Sequence, residues 1–243
     1  MSGKDDMPEL SIASFNTHYG FRTRPHPPRT PYDVEAALRT LDADVIVVQE
    51  VWRPDGRRGP LDDAAVALGL TVHHETTGRA TGTKHWPHIA RNGEGTVGIG
   101  VLTQLPARRI GAIPLGPTTG DPAPARTALH VEVDVLGSPL QVVAVHLTSR
   151  LLHGPMLQLR QLAQAAPTDD AAVIAGDCNF WGPGVRMYLR GWRRAVRGRT
   201  WPARSPHSQI DHILIRPQMK ARRGTILGNV GSDHRPVRAE ISW

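Results

Sequence analysis

Residues 174–180 read Ile-Ala-Gly-Asp-Cys-Asn-Phe, an apolar strand end that closes on two polar residues. The apolar, partly β-branched run 171–175 predicts a buried strand. Gly176 ends the run, and two polar side chains follow two residues apart, Asp177 and Asn179. In an extended chain that spacing sets both on one face and turns Cys178 to the other. A carboxylate beside an amide at the end of a buried strand is costly to desolvate unless something uses it. An Asx-turn that merely closes the strand is the plainer alternative.

The same design, an apolar strand closing on a polar residue, recurs outward from this stretch. Residues 9–15 alternate polar and apolar and end at Asn16. Residues 44–49 are nearly all apolar, the pattern of a sheet covered on both faces, and the strand terminates at Gln49-Glu50. Residues 140–147 carry His146 near their end, and 209–216 hold Asp211 inside an apolar run. Ser232-Asp233-His234 stands just before a last strand over 236–243. Further strands are expected over 70–74, 96–103, 108–114, 126–135 and 220–227, with a tight Gly137-Ser138 hairpin. Helical spacing marks 32–41, 62–68, 151–166 and 184–190. Residues 20–31 and 76–95 show no periodicity and read as loops, the second long enough to be functional or mobile. No repeat and no linker divides the chain, so one domain over 1–243 is expected, with 1–8 a flexible tail.

If these strand ends converge, they gather four carboxylates (Glu50, Asp177, Asp211, Asp233), two amides (Asn16, Asn179) and two histidines (His146, His234). Hard oxygen donors without a cysteine set suit magnesium or manganese rather than zinc, and such ions act on phosphates. Each residue also has a plainer reading. Asn16 can be a turn residue, Glu50 a solvated strand end, His146 a satisfied core histidine, and Asp233-His234 an exposed turn. Asp211 is harder to dismiss, because an acid in a buried strand needs a partner. His212 faces away from Asp211 and reads as structural.

Composition is that of an ordinary soluble chain: 243 residues, 40% hydrophobic and 21% charged. No apolar run reaches the roughly 18 residues of a membrane helix, and the first residues lack a signal region. Cys178 is the only cysteine, so there is no intrachain disulfide, and a reducing cytoplasm is expected. The net charge of +7 favours polyanionic partners. Only Lys4, Lys84 and Lys220 are lysines, so the charge is nearly all arginine. Arginine suits bidentate phosphate contacts, although an Arg-rich, Lys-poor chain also fits a GC-rich coding bias.

Six pieces taken in order, F-N at 15–16, V-Q-E at 48–50, V-H-L at 145–147, G-D-C-N at 176–179, I-D-H-I at 210–213 and S-D-H-R-P at 232–236, resemble the endonuclease/exonuclease/phosphatase superfamily. The resemblance implies an α/β (α+β) fold, a four-layer α/β/β/α sandwich of two mostly antiparallel sheets with the site at one rim. It implies Glu50 as the main Mg2+ (or Mn2+) ligand, supported by Asn16 and Asp233. Asp177 would orient or deprotonate the attacking water, and Asn179 would hold a phosphate oxygen. His234, held by Asp211, would contact the phosphoryl oxygens, and His146 would sit on the leaving-group side. Arg126 matches a phosphate-contacting arginine of the deoxyribonuclease-like branch. Glu94, just before a strand, is a candidate partner for His146, or else a solvated loop residue.

Residues 181–204 hold seven arginines (186, 190, 193, 194, 197, 199 and 204) among Trp181, Tyr188, Trp192 and Trp201. Basic residues interleaved with aromatics suit a nucleic-acid backbone with bases stacked on rings, and Trp181 is the first candidate ring. Trp192 and Trp201 can equally be packing residues under a solvated face. The leading expectation is a metal-dependent nuclease, acting as a monomer on nucleic acid. A phosphatase or phosphodiesterase on a phosphorylated small molecule or lipid headgroup is the alternative, and a non-catalytic phosphate-binding module the third.

Overall fold

The computed structural model describes residues 7–22, 30–81, 93–118, 125–150 and 153–243. The chain runs β1 (Glu9–Asn16), α1 (Val34–Leu41), β2 (Val45–Pro54), α2 (Pro60–Ala67), β3 (Thr71–Ala80), β4 (Gly95–Thr103), β5 (Ala107–Pro114), β6 (Thr127–Val135), β7 (Ser138–His146), α3 (His153–Ala165), β8 (Ala172–Asp177), α4 (Gly182–Tyr188), β9 (Arg193–Arg194), β10 (Asp211–Ile215), β11 (Lys220–Ile226) and β12 (Val237–Ser242). Two six-stranded sheets form, in the orders β11-β12-β1-β2-β4-β3 and β5-β6-β7-β8-β10-β9.

Period-two alternation makes the layers. Leu10 and Ile12 of β1, Val142 and Ala144 of β7, and Val173 and Ala175 of β8 point inward and join one core between the sheets. Ala13 and Phe15 point the other way, onto Val34, Leu38 and Leu41 of α1 and Leu61 of α2. Val143, Val145 and Ile174 point out onto Leu159 and Leu162 of α3 and Val185 of α4. The result is the α/β/β/α sandwich. Each fully buried Val, Leu or Ile contributes about 1.5–3 kcal/mol, so three such cores hold the layers in register.

Strand direction then sets the site. β1 pairs parallel with β2, and β7 parallel with β8. β12 runs antiparallel to β1, and β10 antiparallel to β8. The C-terminal ends of β1, β2, β7 and β8 therefore share one rim with the N-terminal ends of β10 and β12. Gly176 allows the close approach of β8 to β7. Its φ is +149°, and a Cβ there would collide with the Val145 carbonyl oxygen.

Several expected boundaries move. β2 does not stop at Gln49-Glu50 but continues to Pro54. Its pairing with β4 shifts between Val48 and Val51, a bulge that sets Gln49 and Glu50 against one partner residue. The expected loop 76–95 begins as strand, because β3 reaches Ala80 as an edge with little apolar alternation, and residues 82–92 lie outside the described residues. The hairpin turn is Leu136-Gly137, both at positive φ, one residue earlier than expected, and Ser138 already pairs with Val135. The tail expected over 1–8 falls mostly on residues 1–6, outside the described residues. Among the described residues no helix is long and apolar enough to cross a membrane.

Candidate active site

A cavity of about 390 Å³ opens at the shared rim, lined by Glu50, His146, Asp177, Asn179, Asp233 and His234 together with Ser149, Trp201, Ser208 and Ile210. A larger hollow of about 610 Å³ lies at the opposite ends of β1 and β2, lined by Ser11, Asp44 and Arg238 among others, and it holds no histidine. The chemistry is concentrated at the first.

Backbone geometry aims the side chains. Asp177 is the last residue of β8 and pairs across the sheet with His146 on one side and Asp211 on the other. The chain turns sharply after it, with Asn179 at φ +46° and its backbone N–H donating to Asp177 Oδ1 at 2.8 Å. Asn179 Nδ2 donates to the Leu147 carbonyl at 2.9 Å, and Cys178 is turned into the core. Glu50 sits in the β2 bulge at φ +53°, a conformation held here by the ladder on both sides.

The two sheets are joined by polar contacts over this rim. Asn16 Nδ2 donates to Asp177 Oδ2 at 3.1 Å. His234 places Nδ1 3.0 and 3.1 Å from the two Asp211 oxygens and Nε2 3.8 Å from Asp177 Oδ2. Ser232 Oγ donates to the Asn16 carbonyl at 2.7 Å and accepts from the His234 backbone N–H at 3.2 Å. His146 Nε2 lies 3.7 Å from Asp177 and 3.9 Å from Glu50. His212 turns away and places Nε2 3.0 Å from the Phe180 carbonyl.

Burial and neighbouring charge tune these groups in opposite directions. Burial pushes the Glu50 carboxyl up to about 7, and Asp233 and Asp177 add to the push against His234 and Asn16. Asp177 is also raised by burial and by Asp211, although the His234 cation opposes this. Burial drives His146 well below the usual histidine range, helped by Arg126 and His234, so it is neutral at pH 7. Burial works against the charge on His234 too, but Asp211 and Asp177 outweigh it and carry the imidazole up to about 10. One histidine is thereby a cation and the other a neutral ring.

The sequence of residues 13–234 matches the model of the endonuclease/exonuclease/phosphatase family. The chain belongs to that family. Its members are metal-dependent phosphoesterases. Among curated proteins no significant match is found. Solved structures share the fold of this endonuclease/exonuclease/phosphatase chain at low identity. An endonuclease/exonuclease/phosphatase from Beutenbergia cavernae aligns with TM-score 0.73 and 21% identity over 97% of this chain and 72% of its own. The mannosyl-6-phosphatase Bt3783 of Bacteroides thetaiotaomicron aligns with TM-score 0.68 and 15% identity, covering 96% of this chain and all of its own. TDP2 of D. rerio, complexed with a single-strand DNA product, aligns with TM-score 0.65 and 16% identity over 97% and 99%.

Two donor groups of this family member could hold a cation. Ligand atoms of Asp177, Asp211 and His234 lie within 4.8 Å of one another, but both Asp211 oxygens are already engaged by His234 Nδ1. Glu50 differs: its Oε2 is buried with no hydrogen-bond partner, beside the charge of Asp233. A buried unpaired carboxylate oxygen among like charges fits a divalent cation.

Most of the expected residues are brought together. Glu50, His146, Asp177, Asn179, Asp233 and His234 line the cavity, Asn16 and Asp211 brace them, and buried Arg126 acts on His146 with its own Nε unpartnered. Trp181 does not line the cavity; it is 55% exposed, with its ring tilted against Phe180 at 4.3 Å. Glu94 does not pair with His146. It is an exposed residue 3.8 Å from Arg79, and the carboxylates near His146 are Asp177 and Glu50. Trp192 is a core residue with Arg216 over its ring, whereas Trp201 lines the cavity. The sequence reading passed over His18, whose backbone N–H donates to Asn16 Oδ1 and whose ring lies 3.9 Å from Asp233. Its place two residues after Phe15-Asn16 was the available signal. Ser232 stood inside a quoted motif, yet its role as a brace depends on the meeting of β1 and β12.

Proposed function

We propose that this chain is a divalent-metal-dependent phosphodiesterase acting on nucleic acid, with Glu50 holding Mg2+ or Mn2+ and Asn16 and Asp233 supporting it. The observation that carries this reading is the buried, partnerless Glu50 Oε2 facing a cationic His234 across one small cavity. When bound, the cation supplies a Lewis-acid charge beside the phosphoryl oxygens.

The protein's own residues account for the rest of the hydrolysis. Asp177, anchored by Asn16 and by the Asn179 N–H, accepts a proton from the attacking water as the new P–O bond forms. Its raised affinity for protons suits a base working near neutrality. His234, kept positive by Asp211, offers Nε2 to the charge that builds on the non-bridging oxygens. Asn179 positions one of those oxygens. As the bond to the leaving oxygen breaks, neutral His146 can donate a hydrogen bond to that oxygen while solvent supplies the final proton. Arg126 stands behind His146 for the substrate's charge.

A phosphomonoesterase is the second reading, supported by the fold shared with the mannosyl-6-phosphatase. To separate them, the protein is incubated with plasmid, single-stranded and abasic DNA, RNA and a phosphomonoester panel, with Mg2+ and with EDTA. Strand scission that EDTA abolishes is the expected result. Release of inorganic phosphate without scission would overturn the nuclease reading, and metal-independent turnover would overturn the Glu50 assignment.

A further inference from the structure

Beyond the rim, the chain that leaves the catalytic turn carries a second concentration of charge. Arg194, in β9, sends its guanidinium toward the start of α4, where Nη1 donates to Gln209 Oε1 at 3.1 Å. Its fit there is close, because a Cβ at Gly182 would collide with Nη1. Gln209 accepts from the Gly198 N–H at 3.2 Å and donates to the Val196 carbonyl at 3.0 Å, fixing the whole corner. Arg186 lies four residues, about 6 Å, along α4 from Gly182, and Arg197 stands on the loop beside Arg194.

These three arginines have no carboxylate among the described residues. None of them makes an ion pair, and Arg194 Nε is buried without a partner. Burial disfavours the Arg194 charge, and Arg197 and Arg186 disfavour it further. Five other exposed arginines do have a carboxylate partner: Arg39 with Glu35, Arg79 with Asp55, Arg108 with Glu132, Arg109 with Glu75 and Arg222 with Glu9. Like charges gathered without counter-charge create a positive potential that draws an anion.

Position ties this cluster to the cavity. Asn179 and Gly182 are three residues apart, so their Cα atoms are within about 11 Å. Between them stands Trp181, 55% exposed, its ring supported by Phe180 at 4.3 Å. Gln209, which holds Arg194, is flanked by Ser208 and Ile210 of the cavity wall. An exposed aromatic ring beside unpaired arginines is the arrangement that holds unpaired bases and their phosphates.

We infer that the flank formed by Trp181, Arg186, Arg194 and Arg197 is a single-stranded nucleic-acid site, binding the backbone phosphates and one base of the strand that runs out of the catalytic cavity. The inference rests on the nuclease reading and sharpens it: the substrate extends past the scissile phosphate over α4 as an unpaired strand.

The test is binding of a 5′-fluorescein-labelled octathymidylate, followed by anisotropy in EDTA across a salt series. Kinetics on the same oligonucleotide in Mg2+ accompany it. The wild-type protein is compared with R186Q/R197Q and with W181A, both changes at exposed positions, and melting temperatures report folding. The double variant is expected to bind at least tenfold more weakly at low salt. Its log K against log salt slope should be shallower by about 1.4, or about 0.7 per lost phosphate contact. KM for the octamer should rise while kcat is retained. W181A should weaken binding about tenfold or more with the slope unchanged, as lost stacking requires. If the wild type cleaves the oligonucleotide and R186Q/R197Q shows the same slope and Kd, this inference is wrong while the nuclease reading stands. A wild-type protein that neither binds nor cuts the oligonucleotide but hydrolyses monoesters overturns both.

Discussion

Replacing Asp211 with Asn keeps an oxygen that can accept from His234 Nδ1 and removes only the charge. The carboxylate oxygens are 3.0 and 3.1 Å from that nitrogen, and both groups are buried. At an effective dielectric constant of about 20, a unit charge about 4 Å from the imidazole centre is worth about 4 kcal/mol, or about three pH units. The His234 midpoint of about 10 should therefore fall by about that much in the variant. Titration of the His234 ring protons by NMR measures this directly. The rate should follow. At pH 6 His234 is still charged and the deficit is small; by pH 9 the ring is neutral, and kcat should be down about 10²–10³, the usual cost of losing one donor to a developing oxyanion. Stability gives a second readout. The folded-state value lies above the ordinary 6.5, so the stabilisation is full below about 6.5 and is lost as pH rises through about 10. Asp211→Asn should flatten that loss. An unshifted titration, or a rate deficit of equal size at pH 6 and 9, would show that Asp211 only packs against the ring.

Three further outcomes are expected. Glu50→Gln should abolish the Mg2+-dependent rise in melting temperature and the activity, yet stabilise the metal-free protein at pH 8 by about 3 kcal/mol. The reason is that a carboxyl raised to about 7 is penalised above that pH and not below about 4.5; a metal-free variant less stable than wild type at pH 8 contradicts this. Calorimetric Mg2+ affinity should rise with pH through about 7, as Glu50 must release its proton to bind, and a flat response from pH 6 to 8 would place the cation elsewhere. Gly176→Ala should cost about 3 kcal/mol or more in urea unfolding, because its Cβ meets the Val145 carbonyl at a positive φ; a loss under 1 kcal/mol would mean that β7 and β8 can part without penalty.

What was legible beforehand follows from how local each signal is. Asp177, Asn179 and Asp211 stand next to apolar runs whose burial is evident from their own residues, so their cost without a use was visible. The path of Glu50 was not, since the unbroken apolar run 45–48 gives no sign that the ladder resumes at Val51 one residue out of step. β3 escaped notice beyond His74 because its side chains are mostly half-exposed, leaving no apolar period to read. Glu94 was placed by proximity in sequence alone, and its pairing with Arg79 is a contact that no local pattern encodes.

The bulge in β2 has a consequence for how fold and chemistry are divided. With Glu50 left out, Ile46, Val48, Val51 and Arg53 alternate without a break. The first three face the α1–α2 layer, and Arg53 reaches Asp62 of α2 at 2.6 Å. The strand is thus a regular one carrying a single inserted residue, and the insertion is the proposed metal ligand. Deleting Glu50 would leave every neighbouring side chain on its present face and restore an even ladder. The sandwich does not depend on its most important carboxylate, so the protein can lose its chemistry in one codon and keep its architecture.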